Sequence, residues 1–313
     1  MKRILSIVLV VMLFVMVGCG SEPQAKEQKL SKLTIGLMPD TDSIPFIIAA
    51  EYGYFAEEGL EIELIPFKSA MERDAALQSG SLDGAVSDLL AVVFARSGGF
   101  SVYATSYTDG SYNLVAGGDT GIASAADLRG KEIAISRNTI IEYVTDEILA
   151  VNGVGEEDVS KVVIPQIPVR LEMLQSGNLA AAVLPEPMAS VAEFSGSRYV
   201  TGSGELGINP GVIVFTDSAI KEKEQSIRAM YRAYDKAANY LNNTPHADYI
   251  DLIMERSGFP GPARDALVLK PYRFAGLPAE KDVDEAVRWV KNKGLAGDYR
   301  YDELVSKLLT EGK

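Results

Sequence analysis

Two short stretches end in side chains able to hold a small polar molecule. Residues 77–88 read LQSGSLDGAVSD and residues 174–187 read LQSGNLAAAVLPEP. In each copy a helix end, a glycine stop and a short apolar strand deliver polar groups, Ser87-Asp88 in one and Pro185-Glu186 in the other. Asp40, Asp42 and Ser43 form a second group. They follow a strand-like run at 32–38 and precede a helix with Pro45 in its first turn, whose unpaired N–H groups face the same loop. A third group, Arg137, Asn138 and Thr139, opens another helix and sets a cation beside hydroxyl and amide groups, suited to an anionic or carbonyl ligand atom. Thr105 and Ser106 end a strand at 102–106 on the rim that carries Ser87-Asp88. Plainer readings stay open: Asp42, Ser43, Asn138 or Thr139 as helix caps, Arg137 in solvent, and Glu186 as cap of the helix begun by Pro187.

Hydroxyls, amides and carboxylates recognise ligands; catalysis by a nucleophile–base pair has little to draw on here. The chain has one His and one Cys, which excludes a Cys/His zinc site and an internal disulfide. A Ser-His-Asp arrangement would rest on His246 alone, in a turn after a long helix where surface placement is expected. No metal and no cofactor are expected. A net charge of −13 and a pI near 4.7 argue against nucleic-acid binding. With 313 residues, 47% hydrophobic and 23% charged, the chain has room for two ordinary globular cores.

At the N-terminus, Lys2-Arg3 precede an apolar run at 4–17 that ends just before the sole cysteine, Cys19. The run is short for a bilayer span, which takes ~20 residues, and suits a signal segment. Its end resembles the bacterial lipobox, with Met16 where Leu is usual. That resemblance implies cleavage after residue 18, a lipidated (palmitate-bearing) Cys19, a polar tether at 19–31, and an extracytoplasmic protein held to the cell membrane. A plain secretory signal and a buried N-terminal helix are the alternatives.

The elements that must position the polar groups alternate strand and helix, the pattern of a mainly parallel sheet with covered faces. The doubled phrase is read as two similar α/β lobes, each offering one wall of a shared site; chance similarity is the other reading. Helices are expected at 44–55, 69–78, 222–242, 248–257, 280–293 and 301–309. The stripe Ile140, Ile141, Val144, Ile148 and Leu149 is expected to pack on a sheet, and Trp289 in a core.

Residues 49–60, AAEYGYFAEEGL, resemble the opening of the sulfonate, nitrate, taurine and thiamine-pyrimidine binding proteins. DLRGKEIA at 127–134 resembles that family's second lobe, and AAAVLPEP at 180–187 its second-lobe loop, with Ala180 replacing an acidic residue. The resemblance implies a type II periplasmic-binding-protein fold and an ABC-importer subunit that delivers a small-molecule solute to permease and ATPase partners. It also favours Glu186 as a ligand contact. Lobe 1 is placed at 32–111 and 213–313 and lobe 2 at 112–212. Two crossovers, near 112–116 and near 209–214, would form a hinge, and Tyr112 is a further candidate ligand contact. A monomer is expected. Enzymes of thiamine-pyrimidine or menaquinone synthesis on this fold are the alternative, but they call for a cysteine-rich motif and a histidine, or a cytoplasmic address. A sensory binding protein without transport is a further one.

For the ligand, Asp40, Asp42, Asp88 and Glu186 outnumber Arg137. Unpaired buried carboxylates repel an anion, so a solute with N–H donors or positive charge is expected. If the acids only cap helices, an anion is expected instead.

Overall fold

Alternating apolar runs and glycine stops build ten strands in the computed structural model, which describes residues 30–310: β1 (Leu33–Leu37), β2 (Ile62–Pro66), β3 (Gly84–Asp88), β4 (Val102–Tyr107), β5 (Tyr112–Ala116), β6 (Glu132–Ile135), β7 (Ser160–Val163), β8 (Ala181–Pro185), β9 (Arg198–Gly202) and β10 (Gly211–Thr216). They form two five-stranded sheets of matching order, β2-β1-β3-β10-β4 and β7-β6-β8-β5-β9. In each sheet four strands run parallel and one, second from the edge, runs antiparallel. That antiparallel strand is the exchanged one: β5 follows β4 in the chain but joins the second sheet, and β10 returns to the first. The chain therefore crosses between lobes at 108–111 and again just before Gly211. This is the two-lobed, doubly linked α/β fold expected. Cys19, the expected signal segment and most of the expected tether lie outside the described residues.

The doubled phrase is structural as well as textual. Helices Ala70–Gln78 and Ile167–Gln175 each end before a glycine in the left-handed region, Gly80 at φ +78° and Gly177 at φ +76°, where a Cβ is disfavoured. Each then leads into the central strand of its sheet, β3 or β8, whose residues are all buried. The stripe on helix Ile140–Val151 is buried as its spacing predicts.

Several boundaries differ from expectation. The first helix stops at Glu51, because Gly53 takes φ +75° and turns the chain into the short helix Tyr54–Glu57. The expected helix at 222–242 breaks at Lys223, which separates Asp217–Glu222 from Glu224–Asn243. The last expected helix is only Tyr301–Leu304; Val305 instead bridges Ala104 beside the first sheet. His246 is half-buried rather than on the surface, its ring edge-on to Tyr249 at 5.5 Å.

A third connection was not expected. The extended run at 267–279 lies along the first crossover. Arg273 donates its backbone N–H to Asp109 at 2.8 Å, a guanidinium N–H to the Thr108 carbonyl at 3.1 Å, and stacks 3.7 Å from the Tyr107 ring centre. Tyr272 donates its hydroxyl to the Thr41 carbonyl at 2.9 Å. This run leads into helix Glu280–Asn292, which packs on helix Leu89–Ser97 of the first lobe. Its Trp289 is buried as expected, but the indole N–H donates to Asp146 of the second lobe at 3.0 Å.

Candidate functional site

The carboxyl ends of β3 and β8 face one another across the crevice between the lobes. Strands ending there leave backbone and side-chain groups free to meet a ligand, the usual site in open α/β sheets. Two joined cavities occupy the crevice and share Ser87, Ser136, Thr139 and Pro165. The inner one is about 30 Å³, room for one or two waters or a single polar group. First-lobe Asp40, Arg73, Ser87 and Asp88 line it with second-lobe Tyr112, Thr139 and Arg170. The outer one is about 530 Å³ and mostly apolar, with Arg137 and Asn138 at its mouth.

Two buried arginines, absent from the sequence expectation, set the electrostatics of the inner cavity. They occupy equivalent places in the doubled phrase, RDAALQSG at 73–80 and RLEMLQSG at 170–177. Each bonds the same carbonyl of its central strand: Arg73 Nη1 that of Val86 at 3.3 Å, Arg170 Nε that of Val183 at 3.0 Å. Their charges are balanced differently. Arg73 lies 2.7 Å from Asp74 and 3.8 Å from Asp88. Burial works against its cation, but those two carboxylates outweigh the cost and raise its pKa. Arg170 is fully buried with no carboxylate beside it. Its Nη1 donates to the Ile164 carbonyl at 2.7 Å, while Nη2 has no partner, and burial alone pushes the group down to about 9. Ser87 Oγ is likewise buried and unpaired. Arg73 Nη2 also lacks a hydrogen bond, although Asp74 balances its charge. Buried donors with nothing to bond, one of them on an unbalanced cation, suit an oxygen-rich acceptor.

Most of the acids have other work. Asp88 caps helix Leu89–Ser97, accepting the Ala91 N–H at 2.8 Å, and burial raises its pKa despite Arg73. Asp42 lies at the crossover and accepts from Thr108 at 2.9 Å and Tyr112 at 3.2 Å; it does not line the crevice. Ser43 does not cap the following helix. Its hydroxyl accepts the Met38 N–H at 3.0 Å and donates to the Met38 carbonyl at 2.7 Å, closing the loop after β1. Asp40 does line the inner cavity, and burial first, then Asp42, raises its pKa well above the usual carboxylate range. Thr139, not Asn138, caps helix Ile140–Val151, accepting the Ile141 N–H at 3.2 Å. Asn138 holds φ +57° and turns its own backbone N–H to Glu142.

Three candidates point elsewhere. Thr105 is sealed in the first-lobe core, bonded to the Ile213 carbonyl and the Tyr231 hydroxyl. Ser106 accepts the Gly276 N–H at 3.1 Å from the third connection. Glu186 accepts from Asn113 at 2.7 Å and from the Ser190 N–H at 3.1 Å, in a separate crevice of about 290 Å³ that shares no lining residue with the inter-lobe cavities.

Asp42 gives a pH test of this arrangement. Burial lifts it from 3.8 to about 6, against the bonds from Thr108 and Tyr112, with Asp109 adding to the rise. The folded chain then holds this proton more tightly than the unfolded one, so the contribution to stability falls as pH rises from about 4 to 6. Asp42→Asn is expected to flatten that slope and to raise stability above pH 6 by up to roughly 3 kcal/mol. Melting temperatures followed by circular dichroism from pH 4 to 7 check it; parallel curves for the two proteins would count against the assignment.

Comparison with known proteins places this geometry. The profile of the family described as NMT1/THI5 like matches residues 40–248. A Brachyspira hyodysenteriae protein named as an ABC transporter periplasmic binding protein is 24% identical over 261 residues, covering 78% of this chain and 75% of that protein. A Bacillus subtilis protein named for binding aliphatic sulfonates is 22% identical over 241 residues, covering 74% and 72%. Among solved structures, an alkanesulfonate-binding protein of Xanthomonas axonopodis pv. citri bound to MOPS superposes with a TM-score of 0.74 at 17% identity, covering 85% of this chain and 94% of that one. The last of these speaks to the fold alone.

Proposed function

Because the chain belongs to the NMT1/THI5-like family, we propose that it is the solute-binding component of an ABC import system, closing its two lobes on a small molecule with an anionic or oxygen-rich head. One observation carries the reading: Arg170 is buried between the facing rims with an unpaired N–H and no carboxylate to balance it. An empty closed state bears that unbalanced charge, whereas an open one wets it. A solute that supplies the missing acceptor favours closure, and closure is the signal a permease can read. The expectation of a cationic solute gives way here, since Asp88 and Asp42 are engaged as cap and crossover and two guanidinium groups reach the rim.

An enzyme on the same fold is the competing reading. His246, the sole histidine, lies outside both inter-lobe cavities, and no described residue is a cysteine, so the crevice offers recognition without an evident nucleophile–base pair. Cys19 as a lipid anchor, with the protein outside the cytoplasm, completes the proposal on the lipobox-like end of the apolar run at 4–17. A thermal-shift screen against sulfonates, nitrate, thiamine pyrimidines, flavins and amino acids is the direct test. A binding solute raises the melting temperature and, by small-angle scattering, shrinks the particle. Failure of every class to do either would remove the receptor reading.

A further inference from the structure

The two joined cavities differ greatly in size and chemistry. The inner one has room for little more than a single acid group, about 30 Å³, and carries the unpaired donors of Ser87 and Arg170. The outer one is about 530 Å³, within the range of whole small-ligand sites. A small anion such as nitrate would fill the first and leave the second empty.

The outer cavity is a slot between helices Ala70–Gln78 and Leu89–Ser97. Small side chains open it: Ala75 on one helix, Ala91 and Ala95 one turn apart on the other. Phe94 and Phe100 line it with aromatic surface, and Met71, 64% exposed, stands at its edge. The second lobe brings Val163, 41% exposed, to the same opening. Two exposed apolar side chains from opposite lobes at one mouth, continuous with a buried polar end, match a molecule with an apolar body and a polar head. Aromatic edges, a polarisable thioether and a flat alanine floor favour a planar body over a flexible chain.

We propose that the solute is an aromatic oxyacid, its acid group held by Arg170 and Ser87 in the inner cavity and its ring system lying in the alanine-floored slot. This rests on the receptor reading above and adds the substrate class. The recognition is divided: the head supplies the trigger for closure and the rings supply most of the buried apolar area, hence the affinity.

Calorimetric titration with naphthalene-2-sulfonate and 2-naphthoate, set against methanesulfonate and acetate, tests it. Each bicyclic acid is expected to bind at least tenfold more tightly than the methyl-bodied acid with the same head. Ala95→Trp fills the slot and should erase that difference while leaving methanesulfonate binding unchanged; Ala91→Leu does the same more gently should the Trp variant fail to fold. Equal affinity for large and small acids, or a difference that survives both substitutions, overturns the proposal and leaves the receptor intact. The same holds if the acids fail but another solute class raises the melting temperature. If no solute of any class binds, both readings fall.

Discussion

Arg170→Lys is expected to weaken binding of an acid-headed solute by about a hundredfold or more while leaving the fold in place. One guanidinium fork does three things here. It donates to the Val183 carbonyl at 3.0 Å and to the Ile164 carbonyl at 2.7 Å, it lines the inner cavity, and it keeps a third N–H without a partner. A lysine ammonium keeps the charge but lacks the planar fork, so it cannot reach both carbonyls and the ligand at once. Leaving a buried hydrogen-bonding group unsatisfied costs about 1–3 kcal/mol, so losing one carbonyl bond together with the ligand contact reaches about two orders of magnitude in affinity. The pKa direction agrees. Arg170 is pushed below the ordinary arginine value, so the folded chain holds this proton less tightly than the unfolded one. That penalty stands at every pH below about 9 and fades as pH rises from there toward the ordinary arginine value, unless an anion pairs with the group first. Arg73→Lys is the comparison. Its charge is already balanced by Asp74 and Asp88, and a loss of about tenfold is expected. Calorimetric titration gives both numbers, and equal losses at the two positions would refute the distinction drawn between them.

Lys293→Met is expected to lower solute affinity roughly tenfold from outside the crevice. Lys293 follows helix Glu280–Asn292, which the first lobe carries, yet its ammonium meets second-lobe acids: Asp146 at 2.8 Å, Glu142 at 3.1 Å and Glu156 at 3.2 Å. Burial works against this cation, but Asp146 and Glu142 more than offset it and raise its pKa. Trp289 adds the indole bond to Asp146 and an edge-on contact with Tyr143 at 5.8 Å. These contacts join the lobes, and the lower affinity follows if they form on closure and break on opening. With the ammonium partly exposed, the closed form should lose about 1–2 kcal/mol, less than a fully buried pair would cost. Lys161→Met is the control. Lys161 pairs with Asp146 and Glu156 inside the second lobe, so its loss should lower the melting temperature without changing affinity. Trp289, the only tryptophan, reports on the clasp, and its emission should shift on solute binding. Unchanged affinity in Lys293→Met would show that the clasp persists in both states.

Much of the architecture was legible because it is local. Strand–helix alternation and the glycine stops at Gly80 and Gly177 each depend on a few neighbouring residues. The doubled phrase also held the two arginines in register, four residues before each LQSG ending at 80 or 177, but an arginine on a helix ordinarily reads as a solvated face. Only the packing of that helix on its central strand turns the side chain inward to a strand carbonyl.

The candidate contacts illustrate the other half. Asp42, Ser106 and Glu186 lie at strand ends or in the loops that follow, where sequence places ligand contacts, yet each is consumed by a distant partner: Thr108, Gly276 and Asn113. Hydrogen-bond capacity is finite, and which group spends it on the fold and which keeps it for a ligand depends on atoms far apart in the chain. The sequence by itself determined two α/β units, their exchanged strands and the rims that face each other. The tertiary structure alone decided which polar groups are left unpaired at those rims, because that balance is struck only when both lobes and the third connection have docked.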